Sequence, residues 1–376
     1  MTPVWSDSAA RLTSWFQRKT FPSAVRRIAA FPAALASDVG LKRDENQDRV
    51  AIGRGTCGQN QPYVLAALSD GIGGMKDGAA CAATTLGTLF ACFFELARPG
   101  EPPERTLEAA VRAANSTIFS KLSGKGGATL SALLLCEGIA YTVNVGDSRI
   151  YKYSNGQLTQ LTVDDTIAGQ LGHKVEADMG SNLLQFVGIG NPLEVNVTQL
   201  PFAHEDALLL TSDGVHYLDQ SWIATLIANS SDPGTALRRL TETAKWCGGH
   251  DNASAAFVLP QLTLQELADG DDDHDATCGI WDPFGELHLL LNRARPGQSS
   301  APVQPVESNR SDREVGRSTP APEPAFTDVQ KAPRSKRKRE KKAKAPAQRS
   351  IEEPLEPGQD KPKAPQLKIE FPQKAD

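Results

Sequence analysis

Three aspartates at the ends of apolar runs constrain the fold of this chain more than any other sequence feature. Asp70 and Asp213 each follow such a run, and Asp251 comes shortly before one. Apolar runs of this length, bounded by turn residues, are typical of buried strands. Strands that each present a carboxylate at one end can gather the oxygen ligands that Mg²⁺ or Mn²⁺ prefers. The sequence therefore predicts a divalent-metal site.

Charge separates the chain into an acidic body and two basic ends. Residues 34–292 carry 16 basic and 32 acidic residues, residues 1–33 carry five and one, and residues 293–376 carry 19 and 12. An acidic body argues against nucleic acid binding at the core, which would need a basic face. Composition and charge predict four parts: a basic N-terminal arm at 1–33, a folded domain at 34–262, an acidic loop with a C-terminal extension at 263–293, and a disordered Pro- and Lys-rich tail at 294–376.

Each basic end is open to two interpretations. The tail is either a solubilising segment or an electrostatic tether to an acidic partner, an anionic lipid surface or nucleic acid. Residues 1–30 combine aromatic and aliphatic side chains with arginines and a lysine. They form either a short basic amphipathic helix that docks on the body or on a surface, or, because Pro22 interrupts the helical pattern and Pro32 follows it, a flexible arm.

The six cysteines are widely spaced and include no C-x-x-C pair. The N-terminus lacks the apolar stretch of a signal peptide, and we expect no run of the roughly 18 apolar residues that cross a bilayer. This pattern is typical of a reduced, cytoplasmic protein.

The middle of the chain alternates helical and strand patterns. Helices are predicted at 77–96 with Asp77 as cap, 104–122, 221–229 and 233–246, and strands at 128–135, 139–145, 150–153, 195–200, 207–211 and 254–259. The turns at Glu137-Gly138 and Asn155-Gly156 indicate hairpins. Residues 269–275 are expected to be a loop, and residues 284–291 a last strand or helix. Hairpins combined with paired helices indicate an α+β sandwich.

The carboxylates fit hydrolysis of a phosphate ester by two metal ions. Two divalent cations about 4 Å apart can bind a bridging water and lower its pKa. Asp70 is the candidate bridge, the carbonyl of Gly71 can face an ion, and Asp213 and Asp251 complete one metal. The planar fork of Arg43 suits two phosphate oxygens.

Each of these features also has an ordinary interpretation. Asp-Gly and Asp-Asn are common turn pairs. Asp147, in the turn before Arg149, adds a fourth carboxylate but could simply pair with that arginine. Asp44, Glu45 and Asp48 could form a solvated face. The ordered combination of these residues favours the functional interpretation.

Seven motifs follow one another in a fixed order: GLKRDENQD at 40–48, SDGIGG at 69–74, GGATL at 126–130, VNVGDSR at 143–149, LTVDD at 161–165, LTSDG at 210–214 and HDNAS at 250–254. Together they resemble the metal-dependent protein phosphatases (the PPM family, protein phosphatase 2C type) in the bacterial style. The resemblance covers roughly residues 34–260.

The resemblance implies an α-β-β-α sandwich of two antiparallel sheets flanked by helices, with two Mn²⁺ or Mg²⁺ ions in a cleft. It assigns the metal ligands to Asp70, Gly71, Asp213 and Asp251, and gives Asp147 a third, weakly bound ion. It makes Asp70 part of the catalytic set together with two further residues. These are Arg43, which binds the substrate phosphate, and Asp48, which hydrogen-bonds metal-bound water.

The implied activity is that of a serine/threonine protein phosphatase. A metal-bridged hydroxide attacks phosphoserine or phosphothreonine directly, without a phospho-enzyme. Phosphorylated proteins would be the substrates, and a cognate Ser/Thr kinase in a bacterial signalling system would be the functional partner.

Three departures from the family pattern bear on this expectation. Gln47 stands where the family often has Glu, which removes charge near the second ion. Ile72 stands where eukaryotic relatives often carry a His proposed as general acid. The stretch 165–188, which corresponds to a flap beside the cleft, is shortened.

Two other functions remain open at this point. A weakly active or inactive regulatory module that binds phosphoproteins is favoured only by Gln47. A metal-dependent nuclease is disfavoured by the acidic body.

Overall fold

Two antiparallel sheets and their flanking helices make up the described part of the chain. The computed structural model describes residues 3–57, 61–98, 100–171, 182–269 and 277–290. The helices are α1 Ser6–Phe16, α2 Gly78–Leu96, α3 Pro103–Leu122, α4 Ile167–Leu171, α5 Asp213–His216, α6 Gln220–Ala228, α7 Pro233–Trp246 and α8 Pro260–Asp269. The strands are β1 Ser23–Ile28, β2 Ala33–Asp38, β3 Arg49–Cys57, β4 Gln61–Ser69, β5 Leu130–Cys136, β6 Ile139–Val145, β7 Arg149–Ser154, β8 Gln157–Gln160, β9 Val197–Leu200, β10 Ala207–Thr211, β11 Ala253–Val258, β12 Thr277–Asp282 and β13 Gly285–Leu290.

The strands form one sheet of six and one of seven. Their orders are β1-β2-β11-β10-β7-β8 and β13-β12-β3-β4-β5-β6-β9. Neighbouring strands within each sheet pair antiparallel. Cys136 pairs with Ile139, and Ser154 pairs with Gln157, which confirms the two predicted hairpins. The two-sheet α+β fold expected from the sequence is confirmed.

The long apolar runs arise because central strands are buried on both faces. On β4, Val64 and Leu68 face the other sheet, whereas Leu65 faces the helices. On β10, Leu210 points between the sheets and Leu209 points to the opposite layer of helices. Successive side chains of a strand alternate between faces, so a strand covered on both sides needs apolar residues at every position.

The helices form the outer two layers. Helices α1, α2 and α3 share an apolar cluster with the seven-stranded sheet, and α6 and α7 share one with the six-stranded sheet. Helix α1 crosses α2 at Gly87, where an added Cβ would lie 2.4 Å from Oγ1 of Thr13. A side chain at this position would therefore force the two helices apart.

Helix α2 departs from the expectation that no segment could cross a membrane. Its 19 residues are long and apolar enough by length and composition, but 78% of its apolar window is buried inside the fold. The composition of α2 therefore reflects its place as a central core helix between the sheet, α1 and α3.

The described N-terminal residues 3–33 include a helix and a strand instead of forming a flexible arm. Leu12 and Phe16 of α1 are buried against α2, which supports the docked helix among the two alternatives. Strand β1 pairs with β2, which the sequence did not indicate because β1 carries Arg26 and Arg27. Charged residues of this kind are common on edge strands, where β1 lies.

Two further expectations on local structure need correction or completion. Asp77 precedes α2 as expected, but its φ of 56° places it in the left-handed region and its side chain makes no capping hydrogen bond. Of the two alternatives for 284–291, the strand is right, since β13 pairs with β12 at the edge of the seven-stranded sheet. Residues 270–276 and all residues from 291 onward lie outside the described residues, so the loop expected at 269–275 and the disordered tail stay predictions, although Asp269 is the last residue of α8. The expected boundary at 262 lies inside α8, and the domain boundaries at 262 and 293 stay predictions.

Candidate active site

A cavity of about 300 Å³ opens where the ends of the two sheets meet. It is lined by Arg43, Gln47, Asp70, Gly71, Ile72, Gly73, Thr129, Asp147, Leu183, Asp213, Asp251 and Asn252. Asp70 comes from the end of β4, and Asp213 from the end of β10 in the other sheet. The structure thus brings together every residue that the sequence singled out for the site except Asp48, which is buried at the start of β3.

Two hydroxyl groups hold the Asp70 turn against the Asp147 turn. The backbone N–H of Asp70 donates to Oγ1 of Thr129 (3.0 Å), and the N–H of Thr129 donates to the carbonyl of Asp70 (2.8 Å). The Thr129 hydroxyl also contacts Oγ of Ser148 at 2.7 Å. Both residues lie inside recognised motifs, GGATL and VNVGDSR, but the sequence reasoning assigned them no role.

Gly71 allows the end of β4 to approach the start of α2 closely. A Cβ at this position would lie 2.3 Å from the carbonyl oxygen of Gly78. Any larger residue would therefore displace either Asp70 or α2. This packing explains why a glycine follows the central aspartate of the site.

Asp48 and Asp213 are connected through the residue between β10 and α5. The Ser212 hydroxyl donates to Oδ2 of Asp48 at 2.8 Å. The other oxygen of Asp48 and Oδ1 of Asp213 are buried, and within the described part of the chain neither has a hydrogen-bond partner. Buried carboxylate oxygens without a donor are costly, so each marks a place for a group outside the protein chain.

The clustered carboxylates raise one another's pKa. Burial is the largest cause for Asp70, whose pKa lies well above the usual value, with added repulsion from Asp48 and Asp213. Burial and the charge of Asp251 raise the pKa of Asp213 to about 7. Burial raises the pKa of Asp48 to about 6, against the hydrogen bond from Ser212. Burial also raises the pKa of Asp147.

These observations fit a divalent cation. Buried carboxylates with raised pKa values are stabilised in the charged form by a cation among them. Their oxygens, together with the unpartnered Oδ1 of Asp213, are hard donors of the type that Mg²⁺ and Mn²⁺ prefer. The residues present therefore fit the metal ions that the sequence predicted.

The carboxylate of Asp251 is engaged by Arg43. Nε of Arg43 lies 2.8 Å from Oδ1 of Asp251, and Nη2 lies 2.5 Å from Oδ2. In the ranges that the structure describes, no three His, Cys, Asp or Glu side chains are arranged as a ready-made metal-ligand set. Asp251 lines the same cavity as Asp70 and Asp213 but is bound to the arginine predicted to hold phosphate.

Asn252 fixes the segment that carries Arg43. Its Oδ1 accepts from the backbone N–H of Gln47 at 2.7 Å. Its Nδ2 donates to the carbonyl oxygens of Val39 (2.9 Å) and Glu45 (3.1 Å). The HDNAS motif predicted a site here but not this amide, whose partners lie about 200 residues away in sequence.

Arg149 does not pair with Asp147. It makes a two-pronged contact with Asp164, with Nη2 2.8 Å and Nε 3.0 Å from the carboxylate oxygens. Asp44 and Glu45 are exposed as expected for a solvated face, whereas Asp48 is only 2% exposed. Asp147 is therefore left to the cavity, and Asp48 belongs with the buried carboxylates.

His216 is half-buried and lies three residues after Asp213 in sequence. Its Nδ1 lies 3.2 Å from Oγ1 of Thr211, and burial lowers its pKa to about 3. His216 does not line the cavity.

The flap region is only partly described. Helix α4 and residues 182–188 are placed, and Leu183 lines the cavity. Residues 172–181 lie outside the described residues, so the shortened flap stays a prediction.

Comparison with known families identifies the class of protein to which this fold and this cavity belong. Residues 42–254 match the family model of protein phosphatase 2C, and the chain belongs to this family. It is similar to the serine/threonine protein phosphatase PstP of Mycobacterium tuberculosis, with 30% identity over 262 residues. That match covers 64% of this chain and 48% of PstP, so the chain spans about half the length of this relative.

Solved structures agree with the fold. The PPM Ser-Thr phosphatase MsPP from Mycobacterium smegmatis, in complex with cacodylate, is 31% identical with a TM-score of 0.52, and the match covers 62% of this chain and 99% of that one. The catalytic domain of PstP in complex with two manganese ions is 28% identical with a TM-score of 0.51, covering 62% and 97%.

Proposed function

We propose that this chain is a metal-dependent serine/threonine protein phosphatase that hydrolyses phosphoserine and phosphothreonine on proteins. The observation that carries the proposal is the convergence of Asp70, Asp147, Asp213 and Asp251 with Arg43 on one cavity. Membership of the protein phosphatase 2C family supports the reaction type. The manganese ions in the PstP catalytic domain support Mn²⁺ as a cofactor.

The metal ions are assigned to the cavity carboxylates. Asp70, the carbonyl of Gly71, Asp213 and Asp251 would hold two Mn²⁺ or Mg²⁺ ions, and Asp147 would be left for a third, weaker ion. Bound there, the ions would supply Lewis acidity and an ionised water as nucleophile. Thr129 and Ser148 keep the Asp70 and Asp147 turns at a fixed separation through their hydrogen bonds.

The remaining residues act on substrate and water. Arg43 binds the phosphate, because its planar fork matches two phosphate oxygens. Asp48 neighbours Asp70, and its buried Oδ1 has no hydrogen-bond partner within the described ranges, so we assign it to accept a hydrogen bond from water at that atom. Ile72 offers no proton, and the leaving alkoxide takes its proton from solvent.

The cellular setting follows from the same proposal. Phosphorylated proteins are the substrates, and a Ser/Thr kinase that makes these phosphoproteins is the opposing enzyme in a signalling system. We place this reaction in the cytoplasm. The basic tail is assigned to an acidic partner or surface on charge alone.

Hydrolysis of p-nitrophenyl phosphate and of a phosphothreonine peptide tests the proposal. We expect turnover with Mn²⁺, none with excess chelator, and at least a hundredfold loss in Asp70→Asn. Asp219→Asn is the matched control, because Asp219 only caps α6 and asparagine caps helices equally well. Full activity in chelator, or wild-type turnover by Asp70→Asn, would refute the proposal.

A further inference from the structure

We propose that Arg43 and a divalent cation compete for the carboxylate of Asp251, so that metal binding releases the arginine to the substrate phosphate. This inference rests on the proposed function. It gives Arg43 a second role: it is the internal counter-ion of the carboxylate that the metal must use.

The contact between the two side chains occupies both carboxylate oxygens. Nε and Nη2 of Arg43 each donate to a different oxygen of Asp251, at 2.8 and 2.5 Å. Oδ1 also accepts from the backbone N–H of Asn252 at 2.9 Å. Three donors therefore already satisfy Asp251, whereas the buried Oδ1 of Asp213 has none among the described residues.

Arg43 is the cationic side chain among the described residues that line the cavity. Both guanidinium nitrogens Nη1 and Nη2 would lie 3.6 Å from a Cβ at Gly73, which itself lines the cavity. The guanidinium thus stands at the cavity wall, within the field of several carboxylates.

A cation at Asp251 changes the balance in two ways. It takes an electron pair from an oxygen that Arg43 uses, and it places like charge beside the guanidinium. The arginine is half exposed, with 46% of its side-chain surface accessible, so it can leave without breaking a core contact. Once released, its fork is unpaired and matches a phosphate in the same cavity.

The proposed competition predicts both the direction and the approximate size of the change in metal affinity when Arg43 is replaced. Removing the guanidinium should tighten metal binding, whereas a residue that only helps build the site would weaken it. Because the pair is partly exposed and screened by solvent, the gain should be about three- to tenfold in affinity. By linkage, inorganic phosphate should tighten Mn²⁺ binding more in the wild type than in a variant without the arginine.

Calorimetric titration of the full chain with Mn²⁺ tests the inference without using turnover. We expect Arg43→Gln to bind Mn²⁺ about three- to tenfold more tightly than the wild type, and Arg43→Lys to fall between them. Arg27→Gln is the matched control, because Arg27 pairs with Asp232 through the same two nitrogens on an exposed surface away from the cavity. It should bind Mn²⁺ like the wild type. Circular dichroism checks that each variant is folded.

The outcomes separate this inference from the proposed function. If the wild type binds Mn²⁺ and Asp213→Asn does not, but folded Arg43→Gln and Arg43→Lys bind it equally or more weakly than the wild type, competition is refuted and the phosphatase assignment stands. If phosphate strengthens Mn²⁺ binding equally in wild type and Arg43→Gln, release of the arginine to phosphate is refuted. If the wild type binds no Mn²⁺, or Asp213→Asn binds it unchanged, both proposals fall.

Discussion

The two sheets meet in two contrasting regions, an apolar interface over most of their area and an acidic cavity at one end. The same strand supplies both, because β10 buries Leu210 between the sheets and Asp213 follows three residues later at the cavity. In the apolar region, burial of side chains stabilises the fold by roughly 1.5–3 kcal/mol for each large residue. At the cavity, burial disfavours the charged carboxylates and raises their pKa values.

This difference shows that the carboxylates at the cavity lower the stability of the fold at the place where the candidate site lies. A sheet end filled with leucine would be more stable, yet this chain gathers carboxylates there, and one buried oxygen each of Asp48 and Asp213 has no hydrogen-bond partner among the described residues. Perturbed pKa values in a cleft are typical of functional sites. The two regions should therefore respond in opposite directions to the loss of a native side chain.

Leu210→Ala should have the largest effect on stability. Leu210 has no solvent exposure and lies in the cluster between the sheets. Truncation leaves a void, and we expect the free energy of unfolding to fall by about 3 kcal/mol. Urea unfolding monitored by circular dichroism measures the change. A loss below 1 kcal/mol would show that the interface is not close-packed at this point.

Asp213→Asn should have the opposite effect when a chelator is present. The pKa of Asp213 is raised in the fold from 3.8 to about 7, so ionisation destabilises the folded protein as pH rises through 7. Asparagine avoids this cost, and we expect the variant to be more stable than the wild type by about 2 kcal/mol at pH 8. Below pH 4 the advantage should disappear.

Manganese should reverse that ranking, because the ion stabilises only a protein that binds it. Urea unfolding at pH 8 with chelator and with Mn²⁺ gives both comparisons. If the wild type stays more stable than Asp213→Asn in chelator, the carboxylates at the cavity do not destabilise the metal-free folded protein, which would contradict this account.

His216→Asn should change the free energy of unfolding by less than Asp213→Asn does. The difference from the wild type should grow as pH falls, whereas for Asp213→Asn it grows as pH rises. The pKa of His216 is lowered in the fold to about 3 from 6.5, so the unfolded chain binds a proton first as pH falls below 6.5. The wild type should lose about 1 kcal/mol more than the variant between pH 7 and pH 5.5. Asparagine can still hydrogen-bond Thr211, and unfolding curves measured in parallel at the two pH values make the test. Equal losses would mean that His216 is not held neutral by burial.

Local patterns account for most of what the sequence predicted. The runs at β4 and β10, the two short hairpin turns and helix α7 follow from periodicity and turn chemistry. Strand β1 was missed because Arg26 and Arg27 conceal an edge strand that is set by its pairing with β2. The capping of α2 by Asp77 was wrong because the residue adopts a left-handed conformation in which its side chain makes no capping hydrogen bond.

The site was predicted as a set of residues but not as a network. Motif order identified Asp70, Asp213 and Asp251 as members of one cavity. The hydrogen bonds from Ser212 to Asp48 and from Arg43 to Asp251 join residues more than 150 positions apart. Such contacts depend on how the two sheets stack, which no local pattern specifies.

Anomalous diffraction at the manganese edge, from crystals grown with Mn²⁺, tests most directly whether distant carboxylates hold divalent ions in this cavity. The account predicts strong peaks among Asp70, Asp213 and Asp251, with the guanidinium of Arg43 moved off Asp251. Saturating Mn²⁺ that leaves this cavity without a peak, or that binds only elsewhere on the chain, would contradict it.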